Sequence, residues 1–234
     1  MGEATMYKYP RRRAVRTVLR AATAGLVHAL SKARIIGAEH VPRTGPVILA
    51  ANHFTFVDAP LLLFASPRLV EFIGGADRVN SPLWSRFIPH MWGYIPAYRG
   101  AFTRSTIRGS LEVLGQGGVM GIFPEGGNWA GLLRPARPGL GFLAAESGAP
   151  VVAVSISGAE HVLGKGRHPL TITFQAPLPA PEIIARGRVR RAALDQYGAS
   201  VMARIARGLP DPLRGAYSAS PEARAAAAAV SAYP

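Results

Sequence analysis

The chain predicts an α/β fold: a single domain with a mostly parallel central sheet flanked by helices, led by an N-terminal amphipathic helix. Three observations carry this expectation. Short apolar runs rich in Val, Ile and Ala alternate with longer stretches of helical period, the order produced when helices cross over a parallel sheet. Several of those runs end abruptly in Gly, Pro or Asn, as buried strands do when they reach the edge of a sheet. With 234 residues and 49% hydrophobic content, the chain can also bury a substantial core.

Taken in order, the expected elements begin with a helix over 11–32, where Val15, Val18, Leu19, Ala22, Leu26 and Leu30 share one stripe. Strand 46–51 follows, then helix 59–66, strand 69–74 and a Pro-bounded helical stretch over 81–88. Next come strand 93–98, a helix from Arg104 to Gly115, strand 118–123, a long loop, and a helix from Gly139 to Ser147. Strands near 150–156 and 170–175 and a basic helix over 186–208 complete the domain. This divides the chain into a basic membrane-surface segment at 1–34, a domain at 35–210, and a tail at 211–234 whose Ala, Ser and Pro content predicts disorder.

A formal net charge of +14 calls for an anionic partner. Nucleic acid fits poorly, because aromatic side chains are not interleaved with the basic ones as a stacking platform requires. An anionic membrane surface fits better. Residues 1–34 carry Lys8, Arg11, Arg12, Arg13, Arg16, Arg20, Lys32 and Arg34 against Glu3 alone, and a helix with an apolar stripe beside arginines lies readily in the headgroup plane. The same pattern also describes a helix packed on its own domain. No uncharged apolar run approaches the length of a membrane span. Cys is absent, which removes disulfide and thiolate chemistry. The histidines other than His53 lack ligand spacing, so no metal is expected. There is no Gly-x-Ser-x-Gly elbow, and the Gly-rich stretch 115–121 precedes a strand rather than opening a helix, unlike a dinucleotide loop.

The most telling stretch is Asn52 to Asp58, directly after the first strand. It sets His53 and Asp58 five positions apart. An imidazole can accept a proton near neutral pH, and a carboxylate on its far nitrogen fixes the tautomer and stabilises the imidazolium. The competing assignment makes Asp58 a helix N-cap, with Ala59 and Pro60 opening the helix. Farther along, another apolar run breaks into Phe123, Pro124, Glu125, Gly126 and Gly127.

Taken together, four blocks in this order resemble the glycerolipid acyltransferases, whose bacterial members include the 1-acyl-sn-glycerol-3-phosphate acyltransferases. They are Asn52 to Asp58 with its lead-in from Glu39 to Ala51, Gly93 to Arg99, Phe123 to Gly126, and Ala149 to Ile156, spanning roughly residues 37–160. The resemblance implies that His53 is the base and Asp58 its partner, with Arg99, Glu125 and Gly126 at the acceptor site beside Gly127. It also implies an acyl-CoA or acyl-carrier protein co-substrate, a lysophospholipid acceptor, no cofactor, and a peripheral place on the cytoplasmic face of the membrane.

One departure stands out. Where the family continues with Thr or Ser and then Arg, this chain has Gly127, Asn128 and Trp129. Arg134 and Arg137, just ahead of a helix start, are the substitute anion ligands on offer, or they are ordinary solvated surface charges. Trp84, Trp92, Trp129, Phe87 and Met91 divide between acyl groove and core in the same way. Two other functions stay open: acylation of a different lipid acceptor, and a catalytically silent lipid-binding protein.

Overall fold

Val47 to Ala51 are all buried, and they face alternate ways: Val47, Leu49 and Ala51 into one apolar cluster, Ile48 and Ala50 into another. A strand apolar on both faces must be covered on both, and the computed structural model shows how. It describes residues 7–75, 91–97, 102–128, 130–182 and 187–231. Arg99, Trp84, Phe87, Trp129 and the helical stretch expected at 81–88 lie outside the described residues.

The sheet has seven strands: β1 (Ser31–Ile36), β2 (Val47–Ala51), β3 (Val70–Gly75), β4 (Ile95–Ala97), β5 (Val119–Ile122), β6 (Val151–Ser157) and β7 (His168–Phe174). Their spatial order is β1-β7-β6-β2-β5-β3-β4. Every pairing is parallel except β6 with β7, so β1 and β7 run against the other five. Six helices accompany the sheet among the described residues: α1 (Arg13–Leu30), α2 (Asp58–Ala65), α3 (Arg104–Gly115), α4 (Leu140–Ser147), α5 (Gly187–Arg207) and α6 (Pro221–Ala229). Leu61 to Ala65 of α2 and Val27 of α1 enter the cluster on one face. Val113 and Leu114 of α3, Leu143 of α4, and Val201, Met202 and Ile205 of α5 enter the other.

At α3 side-chain chemistry sets the start of the helix. Thr103 caps α3: its hydroxyl accepts from the Thr106 amide at 3.1 Å, while the Thr106 hydroxyl accepts from the Thr103 amide at 3.2 Å. This reciprocal capping satisfies two orphan groups at once. The Thr106 hydroxyl also donates to the Pro96 carbonyl at 2.6 Å, which ties the helix to β4.

Three expectations need correction. The boundary at 34/35 falls inside a strand, because Ser31–Ile36 adds to the sheet as an edge beside β7. The 211–234 tail is ordered where it is described: short 3-10 turns at Asp211–Leu213 and Gly215–Tyr217 lead into α6, which Ser220 caps by accepting from the Ala223 amide. Arg16, expected among the arginines facing lipid phosphates, is completely buried.

Arg16 reaches inward because Glu71, the second residue of β3, is buried with it. Two guanidinium nitrogens bond the two carboxylate oxygens, one of them at 2.7 Å. A third bond goes to the Trp92 carbonyl at 3.0 Å, and the guanidinium carbon lies 4.9 Å from the centre of the Trp92 ring. Arg11 adds a bond to Glu71 at 2.6 Å. Bidentate geometry of this kind offsets the cost of taking both charges out of water, and it pins the start of α1 to the sheet. Because Arg11 keeps part of the pairing, Arg16→Ala is expected to lower the unfolding free energy by about 3 kcal/mol, the lower end for a broken buried pair. Arg16→Met with Glu71→Leu should recover most of that loss, since the fully buried pair goes together and only the partly exposed Arg11 loses its partner; denaturant melts of the three proteins test both statements.

Candidate active site

In a parallel sheet, chain ends that leave their strands on the same edge converge on a crevice there. Here β2 and β5 both leave the sheet at that edge, delivering His53 from one and Phe123 to Gly127 from the other. His53 follows Asn52, whose buried side chain is bonded twice to Ile156 of β6, donating to its carbonyl at 2.9 Å and accepting from its amide at 2.7 Å. The amide group extends the ladder one step past the strand, so the backbone enters the His53 turn from a fixed direction.

That turn is organised by Asp58. Its Oδ2 accepts from the Phe54 amide at 2.7 Å, from the Thr55 amide at 2.7 Å and from His53 Nδ1 at 3.0 Å. Its Oδ1 accepts from the Thr55 hydroxyl at 3.1 Å. Asp58 is thus no N-cap: Val57 holds that position without a side-chain bond, Asp58 is the first helical residue, and its carboxylate turns back onto the preceding loop. The carboxylate is fully buried, while the imidazole retains 18% exposure. Since a carboxylate can only accept, Nδ1 carries the proton and Nε2 presents its lone pair. Nε2 makes no hydrogen bond among the described residues.

The imidazole is also held by one of its faces. The Phe123 ring stacks on it with centroids 4.1 Å apart and a 20° tilt, and Phe72 lies parallel beyond Phe123 at 5.9 Å. Phe72 fits there because its neighbour on β5 is Gly121, where a Cβ would come within 2.5 Å of the Phe72 ring.

Glu125 is the second organising carboxylate, and it too is buried. Oε1 accepts from the His53 amide at 2.8 Å, and Oε2 from the Arg134 amide at 3.1 Å. The Arg134 guanidinium lies 3.5 Å from Oε2 and bonds the Gly127 carbonyl. Burial pushes the Glu125 carboxyl up to about 8, while the two amides and the Arg134 charge pull the other way. Glu125 is therefore a brace between the β2 and β5 segments. The turn from Phe123 to Gly126 closes with the Gly126 amide on the Phe123 carbonyl at 3.0 Å, and Gly126 takes φ +78°.

The fold therefore gathers His53, Asp58, Glu125, Gly126, Gly127, Arg134 and Arg137 at one edge. Arg137 is half-buried, donating from its backbone to the Pro124 carbonyl at 2.8 Å and from Nε to the Glu125 carbonyl at 3.3 Å. Arg134 departs from expectation: neither an anion ligand in place of the missing arginine nor a solvated surface charge, it is buried against Glu125 and Gly127. Asn52, Thr55 and Phe123 also build the site, in roles that the motifs alone do not assign. A polar residue closing an apolar strand was the signal available for Asn52.

The family profile described as Acyltransferase matches residues 32–157, more than half of the chain. The chain belongs to the acyltransferase family. The match contains both organising carboxylates and the histidine, and it ends with β6. The fold is similar to that in the crystal structure of the 1-acyl-sn-glycerophosphate (LPA) acyltransferase PlsC from Thermotoga maritima. The two are 22% identical, with a TM-score of 0.55 over 84% of this chain and 83% of that one.

The raised Glu125 carboxyl has a consequence for stability. An unfolded glutamate loses its proton at about pH 4.3, whereas the native acyltransferase keeps the Glu125 proton up to about pH 8. Between those values the unfolded state binds fewer protons, so stability falls as pH rises, by up to about 1.4 kcal/mol per pH unit. Denaturant melts at pH 5, 6, 7 and 8 should show that slope in the parent protein. They should show a flatter curve in Glu125→Gln; identical slopes would mean Glu125 does not titrate there.

Proposed function

We propose that this acyltransferase moves a fatty acyl group from acyl-CoA or acyl-carrier protein to the free hydroxyl of a lysophosphatidic-acid-like glycerolipid, giving phosphatidic acid. The observation that carries this reading is the His53 ring, tied at Nδ1 to a buried carboxylate and open at Nε2. The name of the similar Thermotoga maritima enzyme and the motif resemblance support the choice of acceptor.

In the proposed reaction His53 Nε2 takes the proton of the acceptor hydroxyl as that oxygen attacks the thioester carbonyl carbon. A C–O bond forms, and the carbonyl electrons move onto oxygen. When the tetrahedral intermediate collapses, the C–S bond breaks, and the departing thiolate takes the proton back from Nε2. Asp58 stays ionised throughout and stabilises the imidazolium. No acyl-enzyme forms, and no cofactor takes part. For the oxyanion, the amides of His53, Phe54, Thr55 and Gly126 are already engaged, whereas the Gly127 amide makes no hydrogen bond among the described residues. Gly127 N–H is accordingly our choice of oxyanion donor. Both Glu125 oxygens are occupied by backbone amides, which favours bracing over hydroxyl binding for that residue. Arg99 and Arg137 are left as ligands for the acceptor phosphate.

The enzyme would work as a peripheral protein on the cytoplasmic face of the cell membrane. Among the described residues no helix is long and apolar enough to cross a bilayer. On α1, however, Val15, Val18 and Leu26 are exposed, the last two by 68% and 61%, with Lys8, Arg12, Arg13, Lys32 and Arg34 exposed nearby in the chain. An apolar stripe among cations suits an anionic interface. A second reading, transfer to a different lipid acceptor, is favoured by one observation: with Asn128 at the divergent position and Arg134 turned inward, the phosphate site lacks the arginine that the resemblance leads one to expect there.

Thiol release and product mass from acyl-CoA and lysophosphatidic acid test the reaction. His53→Ala should lower kcat at least about 10²-fold without unfolding the protein, and near-parental turnover would refute the base. Faster turnover on another lyso-lipid in the same assay would select the second reading. Sedimentation with anionic vesicles should show weaker binding for Val18→Asp/Leu26→Asp than for the parent, and equal binding would refute the α1 contact.

A further inference from the structure

Beyond the segment matched to the family, residues 209–218 lie against the loop that carries Arg134. Leu209 is buried in the cluster that also holds Ile48, Ala50 and Leu133, with Leu213 and Tyr217 packed against it. Leu133 is gripped from both sides: its amide donates to the Leu213 carbonyl at 2.9 Å, and its carbonyl accepts from the Ala216 amide at 2.9 Å. Between them Gly215 takes φ +47°, and a Cβ there would stand 2.1 Å from the Leu133 carbonyl oxygen. The close approach therefore requires glycine. The segment also closes on itself. Leu213 donates to Pro210 at 2.9 Å, Tyr217 to Arg214 at 2.8 Å and Ser218 to Gly215 at 3.0 Å, while the Ser218 hydroxyl donates to Asp211 at 3.1 Å.

Leu133 is covalently next to Arg134, whose amide donates to Glu125, and the other oxygen of Glu125 holds the His53 amide. A continuous path of bonds thus runs from Ala216 through Leu133, Arg134 and Glu125 to the histidine. Tyr217 reports the same proximity: burial and the nearby Glu125 charge push its phenol up to about 12.

We infer that residues 209–218 are a positioning strap, which by gripping Leu133 holds the Arg134 amide against Glu125 and so sets the backbone of His53. The inference rests on the acyl-transfer reading only for its kinetic consequence, because the mechanical part is measurable without substrate. Gly215→Ala should push the strap off Leu133. Amide hydrogen exchange of the intact protein should then accelerate at least tenfold at Arg134 and His53 and stay unchanged at Leu49 in β2. With acyl-CoA and lysophosphatidic acid, kcat should fall at least tenfold while KM for the acceptor stays within twofold. Ser218→Ala, which removes the hydroxyl's bond to Asp211 and the one it accepts from the Ser220 amide, should give the same pattern at about threefold, and it serves if Gly215→Ala does not fold. Unchanged protection at Arg134 and His53, faster exchange spread equally to Leu49, or intact kcat despite faster local exchange would each overturn the strap. If exchange responds as expected while the parent protein forms no phosphatidic acid, the strap stands and the acceptor assignment falls.

Discussion

A carboxylate sealed from water must have its charge met by donors, or it takes up a proton instead. Asp58 meets that condition with four bonds, from two backbone amides, one hydroxyl and the His53 ring. Each partner is a constraint as well as a stabiliser. The amides of Phe54 and Thr55 fix the turn, the hydroxyl fixes the rotamer of Thr55, and Nδ1 fixes both the orientation and the tautomer of the imidazole. The nitrogen left open, Nε2, is therefore defined by a residue that is itself sealed from solvent. Glu125 repeats the device at longer range, holding the backbone of the same histidine from the neighbouring strand segment.

The two carboxylates divide the work by environment. Asp58 gathers four donors, while Glu125, held by two amides with the Arg134 guanidinium 3.5 Å away, is pushed by burial toward its neutral form. Arg134 is buried beside Glu125, so a protein of high basic charge keeps one of its cations inside. Arg16 and Glu71 do similar work at the start of α1, where they bind that helix to β3 and leave its opposite face to solvent.

Much of this was readable in order. The alternating apolar runs placed β2, α3, β5, α4, β6 and β7 within a few residues, because their burial is written in local period. The His53 and Asp58 pair was readable too, five positions apart and confined to one turn. What escaped was long-range. Arg16 pairs with a glutamate 55 positions away, so an amphipathic pattern had no means of telling an inward arginine from an outward one. Glu125 holds a backbone amide 72 positions away, and backbone amides leave no mark in a sequence. The edge strand Ser31–Ile36 is exposed along most of its length, so its apolar signal merged with that of α1. The order in 209–218 comes from Leu133, and the Pro and Ala content there gives no sign of it.

The doubly bonded Asn52 bears on the chemical ageing of the molecule. Asparagine deamidates when the amide nitrogen of the following residue attacks its side-chain carbonyl, and the resulting aspartate would turn an oxygen toward the Ile156 carbonyl where an N–H now donates. In this fold the attacking nitrogen would be that of His53, whose N–H is committed to Glu125, and the side-chain amide is itself clamped at both ends. The bonds that aim the histidine thus also shield the neighbouring asparagine from the one spontaneous reaction that would unseat it.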